Sequence, residues 1–174
     1  MEVLQCLKER VTVREFTADP VPGEMVDKLL QVGRLAPSSR NQQPWHFIVI
    51  RDRKTLKQLG EIAATGSFLA RAPIAIAIAM ENADSPALDA GRALQQMEVL
   101  AWSEGLGTCF VTLQSTEEVQ AAKQLLNMPE EMELITVLPF GYRRQDQRKG
   151  KHRKPLSRIV HSERFGQEYL ASKL

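Results

Sequence analysis

The chain has 174 residues, of which 43% are hydrophobic and 25% charged, so it is long enough for one well-buried core but not for two. No apolar run is long enough to cross a membrane, and no secretory signal is evident. Cys6 and Cys109 are unaccompanied by any disulfide framework. We therefore expect a single domain over residues 1–174, a cytoplasmic location and two buried, inert thiols.

The net charge of +2 conceals a basic segment near the C-terminus. Residues 143–158 carry eight lysines and arginines against one acidic residue, Asp146, whereas the rest of the chain carries 15 basic and 20 acidic residues. Aromatic residues are missing between Arg143 and His161, so nucleic-acid bases would have no side chain to stack on. A discrete phosphate is the favoured ligand, with a nucleic-acid-binding module as the alternative.

Apolar periodicity predicts five helices and four strands. In chain order these are a helix at 3–8, a helix at 24–35, a strand at 46–50, a helix from about 56 to 66, a strand at 74–80, a helix at 87–104, a strand at 108–113, a helix at 116–126 and a strand at 134–140. The strand at 74–80 is apolar throughout, which indicates burial on both faces. The helix at 87–104 is apolar on more than one face, so it is central or buried against a second copy. Strands alternating with amphipathic helices indicate an α/β or α+β sandwich.

The loop between the second helix and the first strand carries the most informative side chains. Pro44 restricts Gln43 to conformations outside the α region, so residues 38–43 form a shaped loop. Its hydroxyl, guanidinium and amide groups suit a ligand edge that alternates donors and acceptors, such as the pyrimidine edge of a flavin or a nucleobase. A solvated turn is the alternative, but the position between two apolar elements favours function.

A second group of polar residues lies near the N-terminus. Arg10 and Arg14 share a face of a helix, and Arg10, Thr12 and Arg14 share a face of an extended segment. Two cations and a hydroxyl converge in either case, which favours phosphate because guanidinium groups bind it bidentately. The alternative is a surface arginine pair compensated by Glu9 and Glu15.

Three groups of residues resemble motifs of the FMN-dependent nitroreductase family, and they follow the family's order along the chain. Residues 37–47 (PSSRNQQPWHF) resemble its signature loop, and residues 10–16 (RVTVREF) resemble its phosphate motif. Residues 139–142 (PFGY) and 151–153 (KHR) resemble its Pro-x-Gly-Tyr and Lys-x-Arg elements. The resemblance implies an α+β fold, a nitroreductase-like sandwich whose mixed, mostly antiparallel sheet is flanked by helices. It also implies an intertwined homodimer with FMN as cofactor.

The same resemblance implies the residues that bind FMN. Those expected to hold the phosphate are Arg10, Thr12, Lys151, Arg153 and, from the partner subunit, Ser38. Those expected around the ring are Arg14, Ser39, Arg40, Asn41 and Gln95, together with the backbone of Thr112, Leu113 and Gln114. Arg40 would face the substrate cavity, where it would either narrow the site or recruit an acidic acceptor. Val11 departs from the family pattern, which often has a basic residue there.

The implied activity is hydride transfer from NAD(P)H through the flavin to a nitroaromatic, a quinone or a similar small acceptor, in ping-pong fashion. No catalytic side chain, metal, nucleic acid or membrane is expected. Gly105 and Gly107 lack the third glycine of a dinucleotide fingerprint, and the three histidines lack metal-ligand spacing. Alternatives within the superfamily are reductive dehalogenation, flavin cleavage and a non-catalytic flavin carrier.

Overall fold

The computed structural model describes residues 2–144 and 151–169. Within these residues the helices and strands are, in chain order, α1 (Val3–Glu9), α2 (Gly23–Arg34), β1 (Trp45–Ile50), α3 (Arg53–Ile62), β2 (Ile74–Met80), α4 (Pro86–Ser103), β3 (Leu106–Thr108), α5 (Thr116–Leu125) and β4 (Glu133–Tyr142). Short 3-10 turns cover Ser39–Asn41, Ser67–Arg71 and Leu156–Arg158. Of the basic segment, Arg148 and Lys149 lie outside the described residues.

The four strands form one sheet in the order β1-β2-β4-β3, and each of these neighbouring pairs is antiparallel. Every residue of β2 is buried, as its continuous apolar run predicts. One face of β2 packs with residues of α2 and α4, and the other packs with residues of α3 and α5. The result is the expected α+β sandwich, with its core on both sides of β2.

The first helix leaves most of its large apolar side chains exposed. Val3, Leu4 and Leu7 are 64%, 55% and 44% exposed, whereas Cys6 is buried and its thiol donates to the carbonyl of Val99. Burial raises the pKa of the Cys6 thiol. The thiol is therefore inert as predicted, but the apolar face of α1 lies on the surface of the single chain.

The predicted strand at 108–113 is wrong in position. The strand is Leu106–Thr108, because Gly105 takes a φ of 86° and turns the chain as soon as α4 ends. Gly107 then lies against Val13, where an added Cβ would come within 2.5 Å of the valine Cβ. Gly105 thus ends the helix, and Gly107 permits the strand that follows it to pack against Val13.

No helix of the described residues is both long enough and apolar enough to cross a bilayer.

Candidate functional site

Residues 10–16 lie along the β3 edge of the sheet in an extended conformation. The N–H of Val13 donates to the carbonyl of Thr108 (3.0 Å), and the Val13 side chain is buried. Side chains alternate on either side of Val13, so Thr12 and Arg14 are exposed and Arg10 is half-buried. The alternation ends after Arg14, because Glu15 is exposed and Phe16 is buried. The extended alternative of the sequence analysis is therefore the one that forms.

The C-terminal segment brings two more cations to Arg10. Lys151 Nζ donates to the carbonyl of Leu7 at the end of α1 (2.6 Å). Burial, followed by the positive charges of Arg10 and Arg153, lowers the pKa of Lys151. Charges that disfavour a proton on Lys151 attract an anion. Lys151 thus lies near both Arg10 and Arg153, which come from motifs at opposite ends of the sequence, and we call these three residues the cation cluster.

A carboxylate that sequence reasoning missed lies against this cluster. Glu98 of α4 is only 5% exposed, and its Oε2 is 3.4 Å from Nη1 of Arg10. Burial raises the pKa of Glu98, and the charges of Arg10 and Lys151 oppose that rise. The ion pair holds one side of the Arg10 guanidinium, and the three cations still exceed the single carboxylate in charge.

Arg14, in the segment of residues 10–16 that we call the edge segment, lies near a different part of the chain. Its guanidinium carbon is 5.7 Å from the ring centroid of Phe68. Burial raises the pKa of the Cys109 thiol, and the charge of nearby Arg14 opposes the rise. Arg14 thus lies beside the chain that continues from Cys109 into residues 112–114.

The backbone of residues 112–114 is only partly available to a ligand. The N–H of Gln114 donates to Oε2 of Glu118 (2.7 Å). The N–H of Ala64 donates to the other carboxylate oxygen of Glu118, Oε1 (3.3 Å). Among residues 2–144 and 151–169, no equivalent contact engages Thr112, which is exposed, or Leu113, which is half-buried. Of the three predicted backbone donors, Thr112 and Leu113 are therefore the better candidates.

Within the motif at 37–47, residues 38–43 form the loop itself, which we call the signature loop, and this loop takes an unusual backbone path. Three of its non-glycine residues have positive φ: Arg40 at 49°, Asn41 at 57° and Gln43 at 50°. Such values are uncommon outside glycine and each carries strain. The N–H of Gln43 donates to Ser38 Oγ (2.9 Å), which closes the loop on itself. Gln43 lies outside the right-handed α region, as Pro44 predicts.

Asp89 of α4 anchors this loop, and sequence reasoning missed it as well. The side chain is fully buried, and its Oδ2 and Oδ1 accept from the N–H of Ser39 at 3.0 and 3.2 Å. Oδ1 also lies 2.9 Å from Nη1 of Arg92 and 3.5 Å from Ser39 Oγ. An aspartate in the first turn of a helix is common, so the sequence offers no signal for this contact.

The remaining loop contacts concern Arg40. Its Nε lies 2.8 Å from Oδ2 of Asp84, and its side chain is 80% exposed. The Oε1 of Gln42 accepts from the N–H of Asp84 (3.2 Å). Asp84 thus compensates the positive charge of Arg40. This is the charge that, according to the prediction from sequence, would attract an acidic acceptor.

The signature loop and the cation cluster lie on different sides of α4. The loop is bound through Asp89 and the cluster through Glu98, nine residues apart on the same helix. Nine residues correspond to about two and a half turns and about 13 Å of rise, so the two carboxylates point in opposite directions. One protomer therefore does not bring all the predicted residues to one ligand. Gln95 is exposed near the Glu98 end.

The chain is an α+β sandwich that has a cation cluster at its sheet edge and a strained polar loop. These features place it among ligand-binding enzymes of this fold. It belongs to the nitroreductase family, whose sequence profile matches residues 7–68 and 64–142. A Methanothermobacter thermautotrophicus protein provisionally named NADH dehydrogenase/NAD(P)H nitroreductase is 32% identical over 148 residues, which cover 82% of this chain and 78% of that protein.

Two further relatives cover most of the chain. The structure of an FMN-dependent nitroreductase from Clostridium difficile R20291 superposes with a TM-score of 0.86 at 27% identity, covering 93% of this chain and 99% of the other. The iodotyrosine deiodinase of Thermotoga neapolitana is 28% identical over 165 residues, which cover 78% of this chain and 85% of that protein. The solved structure therefore shares the fold over 99% of its length, and the relatives carry names for different reactions.

Proposed function

We propose that this chain is an FMN-dependent oxidoreductase that uses NAD(P)H, folded as one domain over residues 1–174. The observation that supports this most strongly is the cation cluster of Arg10, Lys151 and Arg153, assembled from both ends of a chain of the nitroreductase family. FMN carries a dianionic phosphate, and guanidinium and ammonium groups are the side chains that bind phosphate best. The donor set therefore fits the cofactor.

Each part of the edge segment has a role in this proposal. Arg10, Lys151 and Arg153 hold the phosphate together with the Thr12 hydroxyl, and Glu98 keeps Arg10 in place. Arg14 and the backbone of residues 112–113 contact the ring end of the cofactor. Bound FMN would supply hydride transfer from NAD(P)H to a nitroaromatic, quinone or similar acceptor in alternating half-reactions. No side-chain acid or base is assigned a role.

The arrangement on α4 supports a homodimer with composite sites. The signature loop, including Ser38, lies on the side of α4 away from its own cation cluster, which supports a site to which a second copy supplies the loop. The apolar face of α1 is exposed in the single chain. A groove beside it is lined by apolar residues of α1, α2 and α4, among them Val3, Val32, Leu35, Val99 and Leu100. Burial of this surface in a second copy would stabilise the dimer.

The test of the cofactor assignment is the chromophore. The purified protein should be yellow, and denaturation should release FMN. The Arg10→Ala variant should bind FMN more weakly in a fluorescence titration of apoprotein. Arg34→Ala is a matched control, because Arg34 is exposed on α2 and bonded to Gln31 Oε1 (2.9 Å). A colourless protein that gains no flavin absorbance with added FMN would contradict the proposal.

Subunit mixing tests the composite site. Arg10→Ala and Ser38→Ala each weaken both sites of their own homodimer. In a mixed dimer, a composite site places both defects in one site and leaves the other intact. Random reassembly of equal amounts should therefore restore tight FMN binding to about a quarter of all sites. Recovery of no tight sites would show that the two residues act within one protomer.

The similarity to an iodotyrosine deiodinase keeps reductive dehalogenation as a second candidate reaction. Steady-state turnover distinguishes the candidates. Oxidation of NAD(P)H with quinones or nitroaromatics supports the proposed activity, and halide release from a halogenated phenol supports the second. An FMN-loaded protein that shows neither activity would leave flavin cleavage and a non-catalytic flavin carrier as the candidates. The cytoplasmic location stays a prediction.

A further inference from the structure

The backbone of the signature loop is strained, so contacts with its surroundings must hold its shape for ligand binding. Arg40, Asn41 and Gln43 occupy left-handed backbone conformations, which cost free energy that the surroundings must offset. Within the loop, the N–H groups of Asn41 and Gln42 donate to the carbonyls of Ser38 and Ser39. These bonds join neighbouring residues, so they shape the turn but do not fix it to the rest of the protein.

Asp89 supplies the connection to a rigid element. Its two oxygens accept from the N–H and Oγ of Ser39 and from Arg92, so every neighbour within hydrogen-bond distance is a donor. The carboxylate is fully buried on α4 and touches the loop at its second residue. A buried charge of this kind persists only when its hydrogen bonds are made. The geometry therefore couples the loop backbone to the helix.

We infer that Asp89 is a positioning residue for cofactor binding: it fixes the signature loop on α4 so that the loop can close the FMN site of the partner subunit. The inference rests on the proposed function. It also explains why a fully buried carboxylate lies on a helix that is otherwise mostly apolar in its interior. An apolar residue at this position could pack equally well but could not bind the Ser39 N–H.

The diagnostic substitution is Asp89→Asn, which keeps the shape of the side chain. An asparagine has one acceptor oxygen and one donor amide, whereas this position faces donors on both oxygens. The amide must therefore oppose either the Ser39 N–H or the Arg92 guanidinium. We expect FMN affinity to fall at least tenfold. We also expect hydrogen exchange of the amides of residues 39–43 to quicken at least tenfold in the FMN-free protein.

The matched control is Lys123→Met on α5. Lys123 is a buried charged residue that also ties a helix to a neighbouring loop, because its Nζ donates to the carbonyl of Glu130 (2.7 Å). Its removal should lower the melting temperature and leave both FMN affinity and exchange of residues 39–43 within threefold of wild type. Expressing both variants in parallel separates a local effect from general destabilisation.

The outcomes are distinct. Weaker FMN binding in Asp89→Asn, with faster exchange confined to the loop, supports the inference. Unchanged loop exchange, unchanged FMN affinity, or an equal loss of affinity in Lys123→Met overturns it. A wild-type protein that binds no FMN overturns the proposed function and this inference with it. That failure is recognised in the wild type, before any variant is compared.

Discussion

The cation cluster makes a quantitative prediction about FMN affinity. Replacing Lys151 and Arg153 by alanine removes two of its three cations. Charge-assisted hydrogen bonds contribute about 1.5–3 kcal/mol each. The lower value is appropriate because Arg153 is exposed and solvent screens its charge. The two losses together, about 3 kcal/mol, correspond to an increase of about 100-fold in the dissociation constant of FMN.

The control must change the net charge equally without touching the cluster. Arg143 is unsuitable, because its Nη1 donates to the carbonyls of Trp102 (2.8 Å) and Leu106 (3.1 Å), and its guanidinium lies 4.0 Å from the Trp102 ring centroid. Lys154 and Arg158 are exposed in the same C-terminal segment. Their double alanine variant removes the same charge and should weaken FMN by less than threefold.

The assay is titration of apoprotein with FMN, followed by quenching of flavin fluorescence at physiological ionic strength. At that ionic strength, exposed charges are screened beyond about 8 Å, so a distant pair contributes little. The reasoning would be refuted by equal losses in the two double variants, because a diffuse basic surface would then account for binding. It would also be refuted by wild-type affinity in the variant that lacks Lys151 and Arg153.

Three further predictions concern catalysis, specificity and pH. Initial rates with NAD(P)H and a quinone should give parallel double-reciprocal lines, because donor and acceptor use one cavity in turn; intersecting lines would indicate a second nucleotide site. Asp84→Asn should free the Arg40 charge and raise kcat/KM for acidic acceptors several-fold over neutral ones, and an unchanged ratio would place Arg40 outside the cavity. The pKa of Glu98 is raised in the folded state, so its contribution to the free energy of unfolding is present at low pH and is lost as pH rises from about 4.3 through the raised pKa. Glu98→Gln should abolish that loss in denaturant titrations, and an identical pH dependence in wild type and variant would contradict it.

Regular elements with strong periodicity could be predicted from the sequence. The apolar run of β2 indicates burial on both faces, and the second helix is found at Gly23–Arg34, within a residue of its predicted bounds. Ser115 also caps the helix that begins at Thr116, because Ser115 Oγ accepts from the N–H of Glu118 (3.2 Å). These features depend on local pattern, which a sequence contains in full.

Features that depend on distant contacts could not be predicted. The position of β3 follows from the close approach of Val13 to Gly107, residues that the sequence does not associate. Glu98 and Asp89 resemble ordinary polar residues of a long helix, and only packing shows that they bind the edge segment and the signature loop. The sequence motifs therefore identify candidate ligand-binding groups but not the groups that hold them in place.

The two carboxylates, Asp89 and Glu98, connect α4 to both the signature loop and Arg10. Asp89 holds the loop on one side of the helix, and Glu98 holds Arg10 on the other, so a single rigid element fixes parts of two different sites. If each FMN contacts the cluster of one protomer and the loop of its partner, binding and dimerisation must strengthen one another to the same extent. Substitutions at Arg10 or Asp89 should then weaken FMN binding and also reduce the stabilisation of the dimer by FMN. Sedimentation of wild type with and without FMN measures this coupling, and a dimer dissociation constant that is independent of FMN would exclude a shared site.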